Sequence, residues 1–236
     1  MLKGFGDLLG LSWSEFKGNF WNFAKVILLF SFIPFVLFGI IGWVTDSAIF
    51  LGFSSIITMV LYFVMAVSLI YMVFLKPEKI NVKDSIKGGM NFFWRYIWLS
   101  IIMLFLLALL FLLLIVPGII FLIYWTFASY ILIWEDKSAW ESMKRSKEII
   151  KGKWWRTFSY MILLGIIIVA ISFVFSIPSL FLGEKSSSFM GSVIVQLGMF
   201  ITTPLSLLFT KNLYLDMKHN IGASSAKPVA PKKGAK

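Results

Sequence analysis

The chain contains no cysteine and a single histidine, His219. Disulfide and thiol chemistry are therefore excluded, and no cluster of His, Cys or Asp has metal-ligand spacing. Neither a metal nor a cofactor is expected. Charge is scarce too: Asp, Glu, Lys and Arg make up 14% of the 236 residues, against roughly 25% in soluble domains. The eleven acids all fall in loops or at the edges of apolar runs. A proton-coupled transporter normally carries an ionisable relay at membrane depth, so that class is disfavoured. There is no Gly-x-Ser-x-Gly elbow, and the KGG at Lys87 to Gly89 lacks the spacing of a phosphate-binding loop. An enzyme is not expected, although Asp84, Glu135, Asp136 and Glu141 are the acids that interfacial lipid chemistry would use.

What the chain has in abundance is apolar length. It is 59% hydrophobic with a mean hydropathy of +0.90. The runs Asn22–Val44, Ser47–Leu75, Arg95–Val116, Gly118–Trp134, Thr157–Leu182 and Phe189–Leu213 each approach the ~20 residues needed to cross ~30 Å of hydrocarbon. The expected fold is all-α integral membrane, with six transmembrane helices in three hairpins, each preceded by a short interfacial amphipathic helix. Residues 1–217 form one membrane domain. Residues 218–236, rich in Ala, Pro, Ser and Lys, are expected to be a disordered basic tail.

The net charge is +11, and its distribution decides its meaning. Of the 22 Lys and Arg residues, all but Lys185 precede, follow or join the spans on one side. By the positive-inside rule this predicts a multi-pass protein of the cell membrane with both termini cytoplasmic. The first apolar run is not followed by a small-residue cleavage pattern, so it is expected to act as an uncleaved insertion signal.

Three segments on the basic side repeat a pattern. SWSEFKG (Ser12–Gly18), NVKDSIKGG (Asn81–Gly89) and SAWESMKRS (Ser138–Ser146) each open with Ser or Asn and place an acid three residues later, the spacing of a helix N-cap with its third-position acid. Basic residues and an aromatic cluster follow, and Gly88 and Gly152 are expected to loosen or end the second and third helices. Parallel repeats over 9–76, 77–135 and 136–217 are predicted, with outer turns at Thr45–Ser47, Pro117-Gly118 and Gly183–Ser188.

Tryptophan favours the headgroup level, which makes Trp21, Trp94, Trp154 and Trp155 the expected interface anchors. Lys87, Arg95, Lys144, Arg145, Lys147, Lys151, Lys153 and Arg156 are the candidate binding residues for anionic headgroups or a membrane protein partner. Each adds roughly 1 kcal/mol of attraction near an anionic leaflet, and Arg145 and Arg156 would take phosphate bidentately. Gln196, Thr202 and Thr203 form the polar patch of the last span. They could line a path, but residues of this kind more often hydrogen-bond neighbouring helices and satisfy the carbonyl freed by Pro204, so packing is the favoured reading. No specific nucleic acid is expected, and a homo-oligomer is possible.

LLLIVPGIIFLIYWTFASYILIWEDKSAWESMKRSKEIIKGKWWRTF, Leu112 to Phe158, resembles a pattern shared by poorly characterised prokaryotic membrane families. They include the YciC-like inner-membrane proteins and the membrane domain found with some glycerophosphoryl diester phosphodiesterases. The resemblance implies a six-helix prokaryotic membrane protein and carries over no catalytic residue, since the phosphodiesterase barrel is missing. The expected function is non-enzymatic engagement of anionic lipids or a membrane partner through basic cytoplasmic helices. The alternative is a facilitator or lipid-handling transporter without proton coupling.

Overall fold

A computed structural model describes residues 2–45, 47–75, 80–178 and 184–225, apart from the side chains of residues 43, 45, 184–190 and 220–225. The described residues are almost entirely helical. Helix α1 (Phe5–Ile27) passes through a π-helical turn at Leu28–Phe32 into α2 (Ile33–Thr45). Pro34 explains the wide turn: its ring excludes the usual hydrogen bond to the carbonyl four residues back, and one widened turn absorbs the misfit. Next comes α3 (Ala48–Phe74), capped by the Ser47 hydroxyl, which accepts from Phe50 N at 3.4 Å. The short α4 (Val82–Met90) leads into α5 (Phe93–Leu113), which turns back at the extended residue Leu114 into α6 (Ile115–Tyr124). The remainder is α7 (Ala128–Trp134), α8 (Ala139–Ile150), α9 (Trp154–Ser176) and α10 (Glu184–Ser225).

Six helices, counting α6 and α7 as one, are long and apolar enough to span a membrane. Two are too long to lie wholly within one. The continuous helix Phe5–Gly42 has 38 residues and α10 has 42, hence lengths of roughly 57 and 63 Å at 1.5 Å per residue. Hydrocarbon is only ~30 Å thick. Asp7, Glu15 and Lys17 therefore mark the projecting end of α1, and Asp216 and Lys218 that of α10.

Several expectations are corrected. Ser12 lies inside α1 and caps nothing. The cap is Gly4, whose N–H donates to Asp7 at 3.1 Å, so the first unit has no separate short helix. Gly88 does not end α4, which continues to Met90, whereas Gly152 does end α8, with φ +81°. The turn placed at Pro117-Gly118 falls at Leu114, and Pro117 sits in the first turn of α6, where its missing N–H costs nothing. The run Gly118–Trp134 is broken at Trp125–Phe127. The last helix begins at Glu184 and extends to Ser225, so part of the predicted outer turn and the first residues of the predicted tail are helical. Asp46, residues 179–183 and residues 226–236 lie outside the described residues.

The core sits at the terminal end. Phe16, Phe23, Val26, Met65, Leu69, Leu132 and Met143 form one buried cluster, and Leu8, Phe127, Ile131, Ile149, Phe209, Leu213 and Tyr214 a second. The opposite halves of α3, α5 and α9 instead expose apolar side chains, among them Ile49, Leu104, Leu112 and Phe173, as helices facing lipid do. Gly89 lets α4 lie directly on α3: a Cβ there would fall 3.0 Å from Ser68 Cα and N. Gly89→Leu is expected to cost about 1–3 kcal/mol by overpacking. Gly10→Ala, with open space around it, should stabilise α1 by about 0.5–1 kcal/mol. Thermal unfolding in detergent measures both, and equal effects would contradict this packing.

Candidate functional site at the basic end

With the first cap at Gly4, one register relates the three units. Gly4, Asn81 and Ser138 cap helices whose third residues are Asp7, Asp84 and Glu141. Four residues beyond the cap stand Leu8, Ser85 and Ser142, and eight beyond stand Ser12, Gly89 and Ser146, all buried. Each of the last three meets the span that closes the neighbouring unit. Ser12 Oγ accepts from Asn212 of α10 at 3.1 Å, and Gly89 lies on α3. Ser146 Oγ accepts from Phe127 N at 3.1 Å and donates to Tyr124 O at 2.6 Å. That serine fills the break between α6 and α7, satisfying buried backbone groups that would otherwise be orphaned.

The chain has three arginines, and each is paired internally. Arg95 binds Asp136 at 2.5 Å and the Lys137 carbonyl at 2.6 Å. Arg156 binds Asp216 at 3.4 Å and donates to the Lys3 carbonyl. Lys137 and Lys3 immediately precede the caps Ser138 and Gly4, so both guanidinium groups clamp the backbone where the next helix begins. Asp136 supports its clamp from a left-handed conformation, φ 52°, which Asp tolerates better than most residues. Arg145 lies 3.0 Å from Glu148 and 3.8 Å from Glu135.

Glu135 joins three elements. Its Oε1 accepts from Tyr214 OH at 2.7 Å and from Lys218 Nζ at 2.8 Å. Burial disfavours its charge, but the hydrogen bonds from Lys218 and Tyr214 and the charges of Lys218 and Arg145 outweigh this and hold the carboxyl below its usual range. A second pair, buried Lys211 with partly exposed Glu15 at 2.5 Å, lines a half-enclosed cavity of about 220 Å³ with Asn19, Trp134 and Leu208.

The candidate binding residues therefore divide. Arg95, Arg145 and Arg156 are engaged by carboxylates, and Lys153 Nζ donates to Met217 O at 3.3 Å. Lys153 is shifted below its ordinary value, chiefly by burial and also by Arg156, with Asp216 opposing. Lys87, Lys144, Lys147 and Lys151 are exposed and form no ion pair among the described residues. Trp21, Trp94 and Trp155 are 73%, 71% and 74% exposed, whereas Trp154 is partly buried and donates to Ile120 O at 3.2 Å. The apolar side of α8 is covered by protein rather than lipid, for Met143, Ile149 and Ile150 are buried. Gln196 Nε2 donates to Ser31 Oγ at 2.6 Å and to Tyr62 OH at 3.3 Å, tying α10 to the π turn and to α3. Thr202 bonds its own helix at Gly198 O, and the Thr203 carbonyl accepts from Ser206. Sequence reasoning missed the Glu135, Lys211 and Ser31 partnerships, which join residues far apart in the chain.

Because its folded-state pKa is depressed, Glu135 stabilises the protein fully above the ordinary carboxylate value. That contribution is lost as pH falls through the depressed value. Glu135→Gln is expected to cost about 1–3 kcal/mol near neutral pH and to flatten the acid limb of Tm against pH, read by thermal unfolding in detergent. An unchanged acid limb would contradict this role.

No curated protein and no solved structure matches the chain. A family model described as a domain of unknown function (DUF7847) matches residues 34–214, well over half of the sequence. The chain belongs to that family.

Proposed function

We propose that this is a non-enzymatic, multi-pass protein of the cell membrane that engages anionic phospholipids at its cytoplasmic face. One observation carries the reading: the arginines are consumed in internal pairs, while Lys87, Lys144, Lys147 and Lys151 stand exposed and outside any ion pair among the described residues. Cations that fold the protein are thereby separated from cations left to meet a surface. Trp21, Trp94 and Trp155 flank them at similar exposure, as a headgroup-level belt would require. The positive-inside rule assigns this end and both termini to the cytoplasm. The six spans are arranged as three hairpins about a pseudo-threefold axis, a reading supported by the shared cap register and the repeated arginine clamp. α4 and α8 lie at the membrane boundary with their lysines toward headgroups. The likeness of residues 112–158 to YciC-like membrane proteins agrees with this placement.

A second reading, lipid handling, is favoured by a mainly apolar groove of about 680 Å³ along α3, open on its outer side and lined by Met59, Phe63 and Met65 together with Ser55, Thr58 and Tyr96. It would present hydroxyls to a lipid within the bilayer.

Native mass spectrometry in mixed micelles of phosphatidylglycerol and phosphatidylcholine tests the main reading. Preferential retention of phosphatidylglycerol is expected, and equal retention would overturn it. The second reading predicts that a fluorescent phospholipid changes leaflet faster in vesicles holding the protein than in empty ones, and that Thr58→Trp abolishes the difference.

A further inference from the structure

The outer face of α8 and the adjoining face of α6 enclose a cavity of about 230 Å³ lined by Phe121, Trp125, Trp140, Met143, Lys144 and Lys147. Its composition is graded. Met143, 2% exposed, and Trp125, 7% exposed, give an apolar interior, with Phe121 and Trp125 packed at 5.2 Å between ring centroids. The ammonium groups stand over aromatic rings: Lys144 Nζ is 5.7 Å from the Trp140 centroid, and Lys147 Nζ is 5.2 Å from Phe121 and 5.7 Å from Tyr124. Such contacts hold a cation partly out of water without neutralising it.

The acids of α8 take neither lysine into an ion pair, although Glu141 is near enough to attract Lys144. Glu141 accepts from the backbone N–H and hydroxyl of its own cap, Ser138, and Glu148 pairs with Arg145. Two positive charges, neither held in an ion pair among the described residues, therefore stand at the rim of an apolar, aromatic-lined recess. The indole N–H of Trp125, which lines that recess, has no hydrogen-bond partner among the described residues. That N–H is therefore open to an acceptor that enters the recess.

We infer that this recess seats one anionic glycerophospholipid, with its phosphate between Lys144 and Lys147 and an ester carbonyl accepting from Trp125. Three features single out a lipid. The volume lies below the ~300–1,000 Å³ of pockets that enclose a whole small molecule, which suits a ligand lodging only its phosphate and glycerol. From Trp125 the same face of α6 continues through Leu122, Ile119 and Ile115, which are 46%, 36% and 67% exposed, an uncovered apolar track for acyl chains. The recess also sits where the basic end meets the spans, the level at which a phospholipid changes from charged to apolar.

The site rests on the anionic-lipid reading, and the test separates the two. Phosphatidylglycerol and phosphatidylcholine are titrated onto the detergent-solubilised full chain, with adducts counted by native mass spectrometry. Lys144→Gln/Lys147→Gln is expected to weaken the tightest phosphatidylglycerol adduct about tenfold. Lys17→Gln/Lys25→Gln, which removes the same charge from exposed positions on α1, should leave it in place. Trp125→Phe, which keeps the ring but not the donor, should weaken it about threefold. Equal loss in both double variants, or no loss in either, overturns this site while leaving the general reading intact. A wild-type protein with no preference for phosphatidylglycerol overturns both.

Discussion

The basic end of the bundle depends on one recurring constraint: a helix that begins at a membrane boundary must have its first backbone groups and its nearest cations satisfied together. Arg95 and Arg156 meet that constraint in the same way. Each guanidinium takes a carboxylate from a neighbouring segment and the carbonyl just before a helix cap, Lys137 O or Lys3 O. Arg95 reaches its two acceptors with the two arms of its fork, Nη1 and Nη2, and Arg156 reaches both of its own from Nη2. Asp216 completes the second clamp by also accepting from Lys3 N at 3.3 Å. The start of α1, the start of α9 and the projecting part of α10 are fixed to one another by this group of charges.

Much of this was legible locally and little of it at long range. The caps at Asn81 and Ser138 follow from a polar side chain with an acid three residues on, and both form. The same rule misplaced the first cap by choosing Ser12 and Glu15 over Gly4 and Asp7. Glycine has no side-chain acceptor, so a cap built on its backbone N–H is faint in a sequence. Ser12 and Glu15 were conspicuous for another reason, as contacts to Asn212 and Lys211 of α10. The break at Trp125–Phe127 had no proline or glycine to announce it, because the serine that makes it tolerable belongs to α8.

The six spans were legible because apolar length is a one-dimensional property. Their ends were less so, since α1 and α10 remain helical far beyond the hydrocarbon. Beyond the bilayer a helix is sustained by tertiary packing. Here the packing is mutual, for α1 and α10 bury Leu8, Phe209, Leu213 and Met217 in a common cluster. Neither extension has a hydrophobic run that would reveal it alone.

The candidate site was legible as a basic, aromatic region but not as a division of labour within it. Composition treats all these cations alike, whereas the fold separates those bonded within the bundle, the arginines with Lys153, Lys211 and Lys218, from the exposed lysines of α4 and α8. The arginines lie among carboxylates that would be left uncompensated by their loss. The exposed lysines of α8 lie among aromatic rings, which leave their charge available. Removing Arg95 or Arg156 would therefore disturb the arrangement of helices, whereas Lys144 and Lys147 take part in no ion pair among the described residues that their removal would break. The division runs within the lysines too, for Lys153, Lys211 and Lys218 are bonded inside the bundle while Lys87, Lys144, Lys147 and Lys151 are exposed.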